Sequence, residues 1–206
     1  MLTHFTSQQI ANMEKRARTA LINSLSGFKS LNLIGTVDKG GQTNLAVFNS
    51  VIHLGADPAL MGFISRPDSV ERHTLENIKE TEYYTINHVN ADIFEKAHQT
   101  SARYQKEQSE FDATGLNAQY KNEFLAPYVQ ESNIKIGLYL KDIIPIEINN
   151  TQLIVGEIAE LYFPDEIWDA DQGIFDIEKA GTIAGSSLDG YHSTQLIKRM
   201  KYAKPE

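Results

Sequence analysis

The sequence predicts a mainly β fold with added helices, an antiparallel, Greek-key-like arrangement forming one domain over residues 1–206. Three observations carry this. LNLIGTV and QTNLAVFNSVI flank the turn signal DKGG, which reads as a β-hairpin. Ile134, Ile136, Leu138 and Leu140 alternate with Lys135, Gly137, Tyr139 and Lys141, the period-two pattern of a half-buried strand. The strands also follow one another without the regular intervening helices that βαβ units require.

In chain order, the polar segment 7–21 reads as an amphipathic helix that Ser7 can cap. The texture changes after Ser26-Gly27, where the hairpin begins, its return strand read as one run from Gln42 to Ile52. Ala59–Ser65 is a third strand, entered from Asp57-Pro58. Thr74 suits the N-cap of a short helix, LENIKE, and YYTINHV is the next strand. From Asn90, whose side chain can cap, ADIFEKAHQTSARYQ reads as a helix. DATGLNAQYKNEFLAPYV is irregular with helical turns. The strand at 134–141 turns at Asn149-Asn150 into QLIVGEIAELYF. The C-terminal extension, about 165–206, mixes turns with a final helix around STQLIKRM.

Composition removes several function classes. The formal net charge is −8, with no dominant basic stripe, so a nucleic-acid partner is not expected. There are no cysteines, which excludes thiol nucleophiles, thiolate metal sites and iron–sulfur clusters. No apolar run has the length of a membrane span, and MLTHFTSQQIANMEKRARTA is too polar for a secretory signal, so the expected location is the cytoplasm without membrane contact. The six histidines fall at neither HxxxH nor HxH spacing, and DEIWDADQGIFD places its glycine out of register for a calcium loop; no metal is expected. GxSxG, SxxK, HExxH, GxGxxG and the phosphate-binding GxxxxGK[ST] are all absent.

Two segments remain. TNLAVFNS, Thr43 to Ser50, sets small polar groups around an apolar centre. It suits either an edge strand facing water or the wall of a site for a flat, polar-edged ring. SRPDSVERHTLEN, Ser65 to Asn77, gathers Arg66, Arg72 and His73 ahead of a helix that Thr74 opens. A helix start beside guanidinium groups forms a phosphate cradle, or else a solvated cap with incidental charges. Taken together, the pair describes an elongated ligand with a ring at one end and a phosphate at the other.

In order, IGTVDKGGQTNLAVFNSV, HLGADPALMGFISRP, RHTLENIKETEYYTINHV, FDATGL and LAPYVQESNIKIGLYL resemble the landmarks of the flavin reductase-like proteins with the FMN-binding split-barrel fold. The likeness runs from about Leu31 to Phe163. It implies bound FMN, NADH or NADPH as co-substrate, and a homodimer with the flavin site at its interface. Carried over by position, Thr43, Asn44, Ala46, Val47 and Phe48 would line the isoalloxazine, partly through backbone atoms. Asn49 and Ser50 would reach the ribityl chain or phosphate, and Arg66, His73 and Thr74 would hold the phosphate. Val47 stands where the family often has proline, and Asn49 where it often has serine. GYH, Gly190 to His192, resembles a loop that approaches flavin; His192 would lie over the ring or pack on the surface. Trp168 would shield the flavin or belong to the core or an interface, and Lys15, Arg16 and Arg18 form a solvated helix face or assist the phosphate. The resemblance implies an NAD(P)H:flavin oxidoreductase in which flavin N5, with no obligatory protein acid or base, carries the chemistry. The alternative is an FMN-carrying electron-transfer or storage protein.

Overall fold

The computed structural model describes residues 1–67 and 72–205. The middle of the expected phosphate segment, Asp68 to Glu71, therefore lies outside the described residues. Seven strands make the main sheet: β1 (Asn32–Val37), β2 (Thr43–Phe48), β3 (Ile52–Ala56), β4 (Ala59–Ser65), β5 (Tyr83–His88), β6 (Lys135–Ile146) and β7 (Thr151–Tyr162). Their order is β2-β1-β5-β6-β7-β4-β3, with every neighbour antiparallel. The β1–β2 hairpin forms as expected. Asp38 Oδ1 closes its turn by accepting the Gly40 and Gln42 amides at 2.8 and 2.9 Å.

The two outer strands of the sheet, β2 and β3, are consecutive in the chain, and only Asn49–Val51 joins them. A flat seven-stranded sheet would hold its edges roughly 29 Å apart, at about 4.8 Å per strand. The link reaches roughly 14 Å at full stretch. The sheet must therefore curl until its edges face one another, which makes it a barrel with an open seam. Register shifts between Val155 and Gly156 and between Ile158 and Glu160 supply local bends in the longest strand pair. Gly156 itself leaves room for the Tyr84 hydroxyl, which a Cβ there would strike.

Burial follows the strands. All of β1 is buried, because Ile34 faces one core with Phe63, Ile86, Leu138 and Ile154, while Leu33 faces another with Leu45, Val89, Ala97 and Phe111. Among the described residues five α-helices attach: α1 (Ser7–Ala11), α2 (Lys15–Ser24), α3 (His73–Thr81), α4 (Phe94–Gln99) and α5 (Glu110–Thr114). α3 sends Leu75 and Ile78 into the first core, and α5 sends Phe111 into the second. Among the described residues no helix is long and apolar enough to cross a membrane, and no group of three or more His, Asp or Glu could hold a metal.

Several expected elements differ. The helix placed at 7–21 is two helices: Thr6, not Ser7, caps the first in a box with Gln9, and Glu14 caps the second. Arg18 donates to the Ala11 carbonyl at 2.6 Å, closing the end of α1 rather than facing a ligand. The return strand 42–52 is broken at Asn49–Val51, and the residues after the break form a strand of their own, β3. Ser50 causes the break to be tolerated. Its hydroxyl both accepts from the Ile64 amide and donates to the Ile64 carbonyl, at 3.2 Å each, replacing ladder bonds on β4. The helix read through residue 105 stops at Gln99, where the Thr100 amide and hydroxyl both turn back onto the Ala97 carbonyl. The final helix around 193–200 does not form: the stretch is exposed and irregular, and so short a helix with no face to bury is unstable in water.

Candidate functional site

The site is built around an edge. β2 pairs with β1 on one side only, so its other backbone groups point outward. α5 covers the first part of this edge: Glu110 accepts the Leu45 amide at 2.8 Å, and Thr43 Oγ1 meets Ser109 Oγ at 2.7 Å. By the two-residue period of a strand, the Val47 backbone points the same way as that of Leu45, one step beyond the cover. There the edge opens on a cleft of about 760 Å³.

Asn44, Ala46, Val47, Phe48, Asn49 and Ser50 form one wall of this cleft. Phe63, Ile64 and Ser65 continue it across the seam, and Arg66, Arg72, His73 and Thr74 stand at the helix end. The two segments singled out in the sequence therefore meet in one cavity, and a hydrogen bond ties them together: Asn44 Nδ2 donates to Thr74 Oγ1 at 2.9 Å, with both residues buried. That bond also explains why Thr74 is not the N-cap. Arg72 occupies the cap position, without a side-chain cap bond, and Thr74 sits inside the first turn with its hydroxyl turned to β2.

Not every expected residue reaches the cleft. Thr43 is held by Ser109 beneath α5. His192 is not in the lining: its Nε2 lies 2.7 Å from Ser186 Oγ and its ring packs 4.8 Å from that of Phe28. Its neighbours Leu188 and Tyr191 line the cleft instead. Asn49 donates to the Ser187 carbonyl at 3.0 Å, which draws this C-terminal hairpin to the site. Trp168 packs on Phe163 and Phe175, away from the cleft.

Other lining residues were not anticipated. Thr100 to Gln105, read as helix, instead forms a wall that brings Arg103 and Tyr104 to the cavity. Glu110 also lines it; burial pushes its carboxyl above the usual range, against the pull of the Leu45 amide and the nearby His73. No local signal marks these residues, since only the turn at Thr100 and the docking of α5 bring them in.

Charge is concentrated at the helix end. The Arg72 guanidinium has its pKa lowered, first by burial and then by the charges of Arg66 and Arg103. Three guanidinium groups and a helix N-terminus therefore share one corner of a chain with net charge −8. An anion there relieves their mutual repulsion. Away from that corner, Ala46, Val47, Phe48 and Phe63 offer apolar surface beside the outward backbone groups of β2. An elongated, phosphorylated flat ring fits this donor set.

A family model described as the flavin reductase like domain matches residues 25–175. The chain belongs to that family. Among solved structures, this flavin reductase-like chain is 50% identical to a split-barrel protein from Shewanella frigidimarina classed provisionally as a flavin reductase, with a TM-score of 0.94 and coverage of 98% of this chain and 100% of that one. Nitrilotriacetate monooxygenase component B from Bacillus cereus superposes at 0.85, with 16% identity over 97% of this chain and 99% of that one. Flavoredoxin of Desulfovibrio vulgaris superposes at 0.73, with 20% identity over 86% and 92%. The last two likenesses are of fold. The flavin reductase-like domain is a split-barrel flavoprotein oxidoreductase, and its cofactor is a flavin.

Proposed function

We propose that the chain binds FMN and works as a cytoplasmic homodimeric NAD(P)H:flavin oxidoreductase, moving a hydride between a nicotinamide and the flavin. One observation carries the reading: the β2 edge and the arginine-rich start of α3 are two ends of one cleft, joined by the Asn44–Thr74 bond. Asn44, Ala46, Val47 and Phe48 would hold the ring, in part through the outward backbone of β2. Arg66, Arg72, His73 and Thr74, with Arg103 from the opposite wall, would hold the phosphate. Bound FMN supplies a ring that accepts a hydride and passes electrons on. The protein's part is to orient that ring, exclude water with Phe48, Phe63 and Tyr191, and fix the phosphate.

The edge also supports the dimer, because a cleft that opens along a sheet margin is completed by a second copy at low cost. Sedimentation is expected to give twice the chain mass. To test the activity, the FMN-loaded protein is mixed with NADH or NADPH without oxygen. Rapid loss of the visible flavin absorbance supports the oxidoreductase. A flavin that dithionite reduces but neither nicotinamide does would favour the carrier alternative. A protein with no affinity for FMN overturns both.

A further inference from the structure

A second hollow, of about 400 Å³, shares no lining residue with the flavin cleft. Its lining takes Lys121, Gln130, Ser132, Asn133 and Lys135, then the end of β7 and the residues that follow. Its chemistry is mixed in a particular way. Leu161, Phe163 and Pro164 give it an apolar wall, while Lys121 and Lys135 give it two ammonium groups. Lys135 spends two donors inside the protein, on Gln119 Oε1 and the Gln130 carbonyl at 3.0 Å each, and has a third. Lys121 is held over the Tyr162 ring at 4.9 Å.

Ser132 supplies the independent observation. The residue is 3% exposed and lines the hollow, yet its hydroxyl has no hydrogen-bond partner among the described residues. A buried hydroxyl without a partner costs stability, and a ligand oxygen that reaches it would recover that cost. The two lysines crowd each other as well. Lys135 has its pKa lowered, by burial first and by the Lys121 charge second, with Glu131 opposing. Glu131 is turned to Asn117, accepting its side-chain amide at 2.7 Å. The lining itself carries two ammonium groups and one carboxylate, Asp165, with Glu131 acting on Lys135 from outside it.

We propose that this hollow binds a small organic monocarboxylate with a flat apolar body. Its carboxylate lies between Lys121 and Lys135 and accepts from Ser132, and its body rests on Leu161, Phe163 and Pro164. Asp165 disfavours a doubly charged ligand such as phosphate.

Trp168 is the only tryptophan, and its ring centroid is 5.9 Å from that of Phe163, so its fluorescence reports on this wall. Benzoate is titrated into the FMN-loaded protein, with benzamide and inorganic phosphate as comparisons, read by tryptophan emission and by calorimetry. Saturable benzoate binding is expected, with both comparisons weaker by about tenfold or more. Ser132→Ala is expected to weaken benzoate about tenfold without lowering the melting temperature, since it removes a hydroxyl that was already unsatisfied. Lys121→Gln is expected to weaken it to a similar degree. The proposal is overturned if benzoate shows no saturable binding, if benzamide binds as tightly, or if both variants keep the wild-type affinity. A shifted flavin spectrum with affinity unchanged in both variants would place benzoate in the flavin cleft, and also overturns it. None of these outcomes bears on whether NADH or NADPH reduces the flavin.

Discussion

Asn44 and Thr74 stand 30 residues apart, and the bond between them holds the β2 wall and the arginine-rich start of α3 in one geometry. Thr74→Val keeps the shape and removes the acceptor, leaving a buried amide donor unsatisfied at a cost of about 1–3 kcal/mol. Urea unfolding is expected to show that loss, and FMN titration a weaker cofactor. Thr74→Ser, which keeps the hydroxyl, should restore most of both. His88 acts through pH instead. Burial pushes its pKa down to about 4, and its Nδ1 lies 3.1 Å from Thr182 Oγ1. The unfolded chain takes up the proton near the ordinary histidine value of about 6.5, before the folded protein does. Stability is therefore intact above that value and falls as pH drops toward 4, by on the order of 3 kcal/mol at most. Unfolding free energies of wild type and His88→Gln, compared across this window, should converge as the pH falls. Parallel curves would show that His88 is not the source.

At the scale of elements, the barrel depends on places where strands carry no side chain. Gly35 in β1 faces the Pro127 carbonyl and the Thr85 hydroxyl, and a Cβ there would strike both. The carbonyl belongs to backbone held against β5 by the Thr85 hydroxyl bond at 2.7 Å, so it has little room to move. Gly35→Ala is expected to cost about 1–3 kcal/mol, measured by denaturant midpoint. What could be read in advance follows the same logic of local against distant causes. The β1–β2 hairpin and the β6–β7 pair were legible, because alternation and turn residues are neighbours in sequence. The break at Asn49–Val51 was not, because it depends on Ser50 meeting Ile64 on another strand. The helix running through residue 105 was misread for a similar reason: its helix-compatible residues are claimed by the turn at Thr100. In the site, Asn44 to Ser50 and the group Arg66, Arg72, His73 and Thr74 were visible as parts of two unusual segments. Arg103, Glu110 and Leu188 were not, since each arrives from a segment with no marking of its own, while the marked GYH stretch reaches the cleft through Tyr191 rather than His192.

For the whole molecule, the seam is the controlling feature. Both margins of the sheet meet across it, and the cleft proposed for the flavin lies along it. Adding two glycines between Asn49 and Ser50 should slacken the seam while leaving the cores intact. The expected result is a large loss of FMN affinity with a smaller loss of thermal stability, seen by cofactor titration and melting on the same samples.

Such a link also restricts how the gene can vary. The Asn149-Asn150 turn projects from the ends of two long strands and can absorb insertions without disturbing the rest. The Asn49–Val51 link has no such slack. When related chains are aligned, added or missing residues should collect at the first place and be absent from the second.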